Sequence, residues 1–223
     1  MPHRSLPGDT TLPTDGVWRV ARSPDPLAIH EPDPPGFASE HTGSRFDSPT
    51  GNYSVLYFAT DLRGCFIETL DRLRPDPRLA AFTAPPDWGA YVAPGGVPAD
   101  WRQQRTAVRV RCTDPTARFL DIESAVTHRA LEGLLGQALI ALSIARLDVP
   151  TVRGPNRHLT RVISAWAYQN DYAGVRYLSR IDTGYECWAV FDGTPITELE
   201  RRSIVREMPE LAEVASQLGL TIF

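Results

Sequence analysis

Proline sets the first limit on how this chain can fold. There are twenty prolines in 223 residues, and nine of them fall before residue 50. Proline fixes φ and removes a backbone donor, so it excludes helix interiors and central strands wherever it recurs. Pro24, Pro26, Pro32, Pro34 and Pro35 therefore interrupt regular structure through residue 36, with room only for a short strand at Trp18-Arg19-Val20-Ala21. Residues 1–36 read as a Pro-rich leader or N-terminal extension, and residues 37–223 as the folded domain.

The Pro-poor segments carry clear periodicities. Tyr53–Ala59 is β-branched and aromatic, flanked by turn residues, and reads as a buried strand. Asp61 can cap a helix over 62–72 with Phe66, Ile67 and Leu70 on its apolar side. Residues 73–105 are rich in Pro and Gly, with Trp88 and Trp101, and are expected to form an irregular insertion. Strands are expected at 107–112 and 118–122, and a helical stretch over 124–147 with a break at Gly133 or Gly136. A helix over 159–169 presents Leu159, Val162, Ile163 and Trp166. A hairpin joins 174–179 to 186–191 through Asp182-Thr183-Gly184. An amphipathic helix over 209–218 and a short strand at 220–223 close the chain. The fold class expected is α+β, with a mixed, largely antiparallel β core and flanking helices.

Composition narrows function. Hydrophobic residues make up 42% of the chain, enough for a core without disulfides or metals. The formal net charge of −4 offers no general attraction to nucleic acid or anionic membrane. Cys65, Cys112 and Cys187 are widely spaced and odd in number, which favours a reducing compartment. The N-terminus lacks the apolar run of a signal peptide, and 134–145 is too short to span a bilayer. A cytoplasmic location is expected. The five histidines, His3, His30, His41, His128 and His158, have no ligand spacing, so no metal is expected. No dinucleotide-fold glycine motif, P-loop, zinc-protease motif, zinc-deaminase motif or nucleophile elbow is present.

Three segments stand out in order: Ser44-Arg45-Phe46-Asp47-Ser48-Pro49 leading into Leu56-Tyr57-Phe58-Ala59, then Cys65-Phe66-Ile67-Glu68-Thr69-Leu70, and much later Gly174-Val175-Arg176-Tyr177-Leu178-Ser179-Arg180. Over residues 37–195 this pattern resembles the RES domain, named for an arginine, a glutamate and a serine. By position Arg45, Glu68 and Ser179 match the naming residues, and Tyr57 matches the tyrosine of the strand. Two departures are the long 73–105 segment, which could cover the cleft, and Asp47, an acid that would weaken an anion site at Arg45.

The resemblance implies a fold like that of ADP-ribosyltransferase toxins, with NAD as substrate. It implies cleavage of the nicotinamide–ribose bond by phosphorolysis, with inorganic phosphate as co-substrate, or by hydrolysis. Protein ADP-ribosylation, or a binding module with an inactive cleft, are the alternatives. It also implies a toxin beside a small antitoxin, of helix-turn-helix type.

The residue types suit that chemistry. Nicotinamide leaves as a neutral molecule, so the site needs positioning and charge stabilisation and no covalent nucleophile. Arg45 offers a planar fork for phosphate oxygens, with Arg180 as a second contact. Glu68 can hold ribose hydroxyls and stabilise a cationic sugar. Tyr57 offers a ring face and a hydroxyl, and Ser179 a hydroxyl at a strand end. Trp166, Tyr172 and His158 read as structural.

Overall fold

The computed structural model describes residues 6–31, 43–75 and 95–223. Its frame is an eight-stranded sheet in the order β1-β6-β7-β8-β3-β2-β5-β9. These strands are β1 (Asp9–Thr10), β2 (Val17–Arg22), β3 (Val55–Ala59), β5 (Arg105–Cys112), β6 (Phe119–Asp121), β7 (Gly174–Leu178), β8 (Glu186–Phe191) and β9 (Ile196–Ser203). Every neighbouring pair is antiparallel except β6 and β7, which run parallel. A second, two-stranded sheet pairs β4 (Gly96–Val97) with β10 (Thr221–Ile222). The architecture is thus the mixed, largely antiparallel α+β class expected from sequence.

Alternation along the strands builds two cores. Trp18, Val20, Ala59, Ala107, Leu120, Val175, Tyr177, Cys187 and Ala189 point to one face and pack against the helices. Val17, Leu56, Phe58, Val108, Val110, Phe119, Trp188 and Val190 point to the other and form a smaller core. The main helices are α1 (Leu62–Leu70), α2 (Ala99–Gln103), α3 (Ala125–Leu134), α4 (Gly136–Ala141), α5 (Val149–Arg153), α6 (Arg157–Gln169) and α7 (Pro209–Leu218). Asp61 caps α1 as expected, accepting from the Arg63 N–H at 2.7 Å.

Gly174 is required at the start of β7. A Cβ there would meet the Ala189 carbonyl oxygen at 2.1 Å. Gly219 ends α7 in the left-handed region at φ 68°.

Several elements differ from the sequence reading. The short strand expected at Trp18–Ala21 is β2, but it lies inside the sheet between β3 and β5, and β1 adds a second strand from the stretch read as a leader. The helical stretch after Ser124 breaks at Leu135 and stops at Ala141, well short of 147. The edge strand β9 has no counterpart in the sequence reading. Trp88 and most of the expected insertion lie outside the described residues; its described ends form β4 and α2. No helix among the described residues is long and apolar enough to cross a membrane.

Candidate active site

The site forms where β2, β3, α1, the 43–48 segment and the turn after β7 converge. Between them lies a cavity of about 720 Å³, within the ~300–1,000 Å³ range usual for small-ligand clefts. Arg45, Tyr57, Glu68 and Arg180 all line it. Residues 135 positions apart in sequence are therefore brought to one wall, Arg45 to Arg180.

The segment carrying Arg45 has no regular structure, and α6 holds it in place. Arg157, Thr160, Arg161 and Ser164 lie at i, i+3, i+4 and i+7, so they share one helix face. Their side chains donate to four successive carbonyls. Arg157 Nη1 reaches Gly43 O at 2.6 Å, and Arg161 Nε reaches Ser44 O at 3.2 Å. Thr160 Oγ1 reaches Arg45 O at 2.6 Å, and Ser164 Oγ reaches Phe46 O at 2.7 Å. Thr160, Arg161 and Ser164 are buried to 1% exposure or less. A loop with its carbonyls paired in this way is as fixed as a strand.

Arg45 extends from this loop. One Nη donates to the Val152 carbonyl, and Nε is buried with no partner among the described residues. Burial lowers its pKa from the usual value, and the charge of Arg180 adds to that. The guanidinium stays charged at any working pH. A buried donor left open beside a second guanidinium is suited to an incoming anion.

Asp47 makes its hydrogen bonds within and beside the loop that carries Arg45. Its carboxylate turns back into the loop, where it accepts from the Ser44 N–H and from the Tyr57 hydroxyl, the latter at 2.7 Å. The Tyr57 hydroxyl in turn accepts from the Phe46 N–H at 3.1 Å. Burial, followed by the Asp47 charge, pushes the Tyr57 phenol well above its usual value. Tyr57 is therefore a neutral brace between β3 and the Arg45 loop, presenting its ring to the cavity.

Glu68 stands on α1 with its carboxyl open to the cleft and protein crowded around it. Burial raises its pKa; the neighbouring Ser179 hydroxyl and the charges of Arg45 and Arg180 oppose that rise. Ser179 is fully buried, behind the cavity wall. Its Oγ accepts from the N–H groups of Ile181 at 3.2 Å and Asp182 at 3.3 Å. With both lone pairs so used, its single proton is free to point at Glu68.

Other cavity residues were not singled out by the sequence pattern. Arg19, Arg72, Arg74 and Arg157 also line the cavity, giving six arginines against Glu68 and Asp71. Arg74 pairs with Asp71 at 3.2 Å, so the remaining cationic excess faces Glu68. Arg19 is locked by Nε to Pro26 O at 2.8 Å and Nη1 to Tyr57 O at 3.1 Å. An arginine between Trp18 and Val20 in a buried strand was the available signal. Among the described residues, no group of three His, Cys, Asp or Glu side chains is placed to hold a metal ion.

The family model of the RES domain matches residues 17–209, most of the chain. The chain belongs to the RES-domain family. The match begins at β2 and ends at the start of α7, so this RES domain includes every element that lines the cavity. Among solved structures, it is similar to a chain of the M. tuberculosis MbcT–MbcA toxin–antitoxin complex, with a TM-score of 0.54 and 13% identity. The alignment covers 93% of this chain and 92% of that one, and the likeness is one of fold. No curated protein matches the sequence.

Proposed function

We propose that this RES-domain protein cleaves the nicotinamide–ribose bond of NAD and serves as the toxin of a toxin–antitoxin pair. The observation that carries this reading is the placement of Glu68 in a cavity otherwise dominated by arginine. NAD presents a cationic ring on one ribose and an anionic pyrophosphate beyond it. With Asp71 paired to Arg74, the Glu68 carboxylate within a cationic cleft complements that distribution of charge.

In this reading Arg45 and Arg180 hold the pyrophosphate, Tyr57 lies against the nicotinamide end, and Glu68 faces the ribose. The C–N bond breaks with its electron pair going to nicotinamide, which departs neutral. Glu68 stabilises the cationic sugar as it forms, and Ser179 keeps the carboxylate oriented. An acceptor, phosphate or water, then adds at the same carbon. No protein nucleophile takes part.

The toxin assignment is supported by the family and by the likeness to a chain from a toxin–antitoxin complex. The partner expected is a small antitoxin of helix-turn-helix type that blocks the cleft. Incubating the pure chain with NAD, with and without inorganic phosphate, tests the chemistry. Nicotinamide release supports it, and phosphate dependence identifies phosphorolysis; intact NAD under both conditions overturns it. Induced expression should arrest growth with wild-type chain and not with Glu68→Gln.

A further inference from the structure

A second cavity of about 580 Å³ adjoins the first, sharing Arg19, Glu68, Thr69 and Arg72 as the boundary between them. Its far side is formed by Arg22, Arg105 and the 23–30 segment. Arg22 and Arg105 are direct cross-strand partners at the end of the β2–β5 ladder. Like charges placed opposite each other in this way destabilise a sheet. Arg72, from the turn after α1, joins them: burial, then the charges of Arg72 and Arg22, pull the Arg105 pKa below its usual value.

Asp100 acts on Arg105 through its charge alone and only partly offsets this. Among the described residues, none of the three arginines forms an ion pair; Arg105 donates to the Trp101 carbonyl at 3.0 Å and stacks on the Trp101 ring. Asp25, on the same wall, accepts from the Leu27 N–H at 3.0 Å. Glu68 is four residues before Arg72 and makes no ion pair with it.

We propose that Arg22, Arg72 and Arg105, with Arg19 at the boundary, form a second phosphoryl-anion subsite next to Glu68. Guanidinium groups arriving from two strands and a turn match a tetrahedral dianion, which accepts several forked donors at once. The phosphoryl group has two sources, free inorganic phosphate or an extra ribose phosphate on the dinucleotide, as in NADP. The subsite adjoins the NAD cleft proposed above and rests on that reading only for its role in turnover.

The test is calorimetric titration of the full chain, without turnover, using inorganic phosphate, NAD and NADP at constant ionic strength. Arg22→Gln and Arg72→Gln replace exposed side chains with no partner of their own. If the free anion occupies the site, each variant weakens phosphate binding about tenfold or more, and Arg22→Gln, which lies outside the first cavity, leaves NAD affinity unchanged. If the ligand-borne group occupies it, NADP binds more tightly than NAD to the wild type, and the variants erase that margin. In the absence of anion, Arg22→Gln should raise Tm by about 1–3 °C by relieving the cross-strand repulsion. Equal affinities of wild type and the double variant for all three ligands would overturn the proposal. Variant-sensitive binding with no nicotinamide release would keep the subsite and remove the NAD-cleavage reading; release with variant-insensitive binding would do the reverse.

Discussion

In the proposed reaction Glu68 is the residue on which the chemistry depends, and its environment fixes two measurable behaviours. Its pKa in the folded chain is raised, chiefly by burial. The folded state therefore holds the proton more tightly than the unfolded state does. Stability from this group is complete below the ordinary glutamate value and is lost as pH rises through the raised one. Above that raised value Glu68→Gln should melt at the same or a higher temperature while losing about 100- to 1,000-fold in kcat. A cooperative melt and a single-turnover assay on the same sample check both. The ionised carboxylate is the active form, so activity should fall on the acid side through the raised value. Ser179 opposes the rise; Ser179→Ala should move that acid limb to higher pH. A downward move, or none, would mean that Ser179 serves only its own turn.

Among the elements, α6 shows most clearly what the sequence did and did not reveal. The apolar stripe of Leu159, Val162, Ile163 and Trp166 identifies the helix and its packing side. The polar stripe at Arg157, Thr160, Arg161 and Ser164 has equally good helical spacing, but polar residues on a helix ordinarily face water, and their burial depends on carbonyls more than 100 residues away. Nothing local encodes that. Ser164→Ala leaves the Tyr53 hydroxyl and the Phe46 carbonyl unpaired. It should cost about 1–3 kcal/mol of stability in urea unfolding. Thr160→Val removes a bond to the Arg45 carbonyl and should lower kcat/KM more than it lowers stability, because it loosens the loop that aims the guanidinium. Strand β9 was hidden for the opposite reason. Its sequence, Ile-Thr-Glu-Leu-Glu-Arg-Arg-Ser, is too charged to read as a strand. As an edge strand it gains from those charges, which pair across and along it, as in Arg109–Glu200 at 2.9 Å, and discourage further strand addition.

At the scale of the whole molecule, charge is distributed unevenly. The chain carries a formal net charge of −4, yet six arginines line one cavity. A concave, low-dielectric wall concentrates that field on an anionic ligand. KM for NAD should therefore rise with salt while kcat holds nearly constant, since the screened interactions attract substrate more than they act on the breaking bond. The α+β class and the order of the main strands and helices were legible from periodicity and turn residues. The ordered motifs single out Arg45, Tyr57, Glu68, Ser179 and Arg180; the fold brings four of them to one cavity and leaves Ser179 buried behind its wall. The strand at Trp18–Ala21 was legible, but its place in the middle of the sheet was not, since its partners β3 and β5 lie far along the chain.

The most direct measurement is a proton NMR time course of NAD with the pure chain and with Glu68→Gln. The account predicts that the anomeric signal of the nicotinamide riboside decays as free nicotinamide appears in equal amount, and that Glu68→Gln leaves the spectrum almost unchanged over the same interval. Unaltered NAD with the wild-type chain, or equal rates for both proteins, would contradict it.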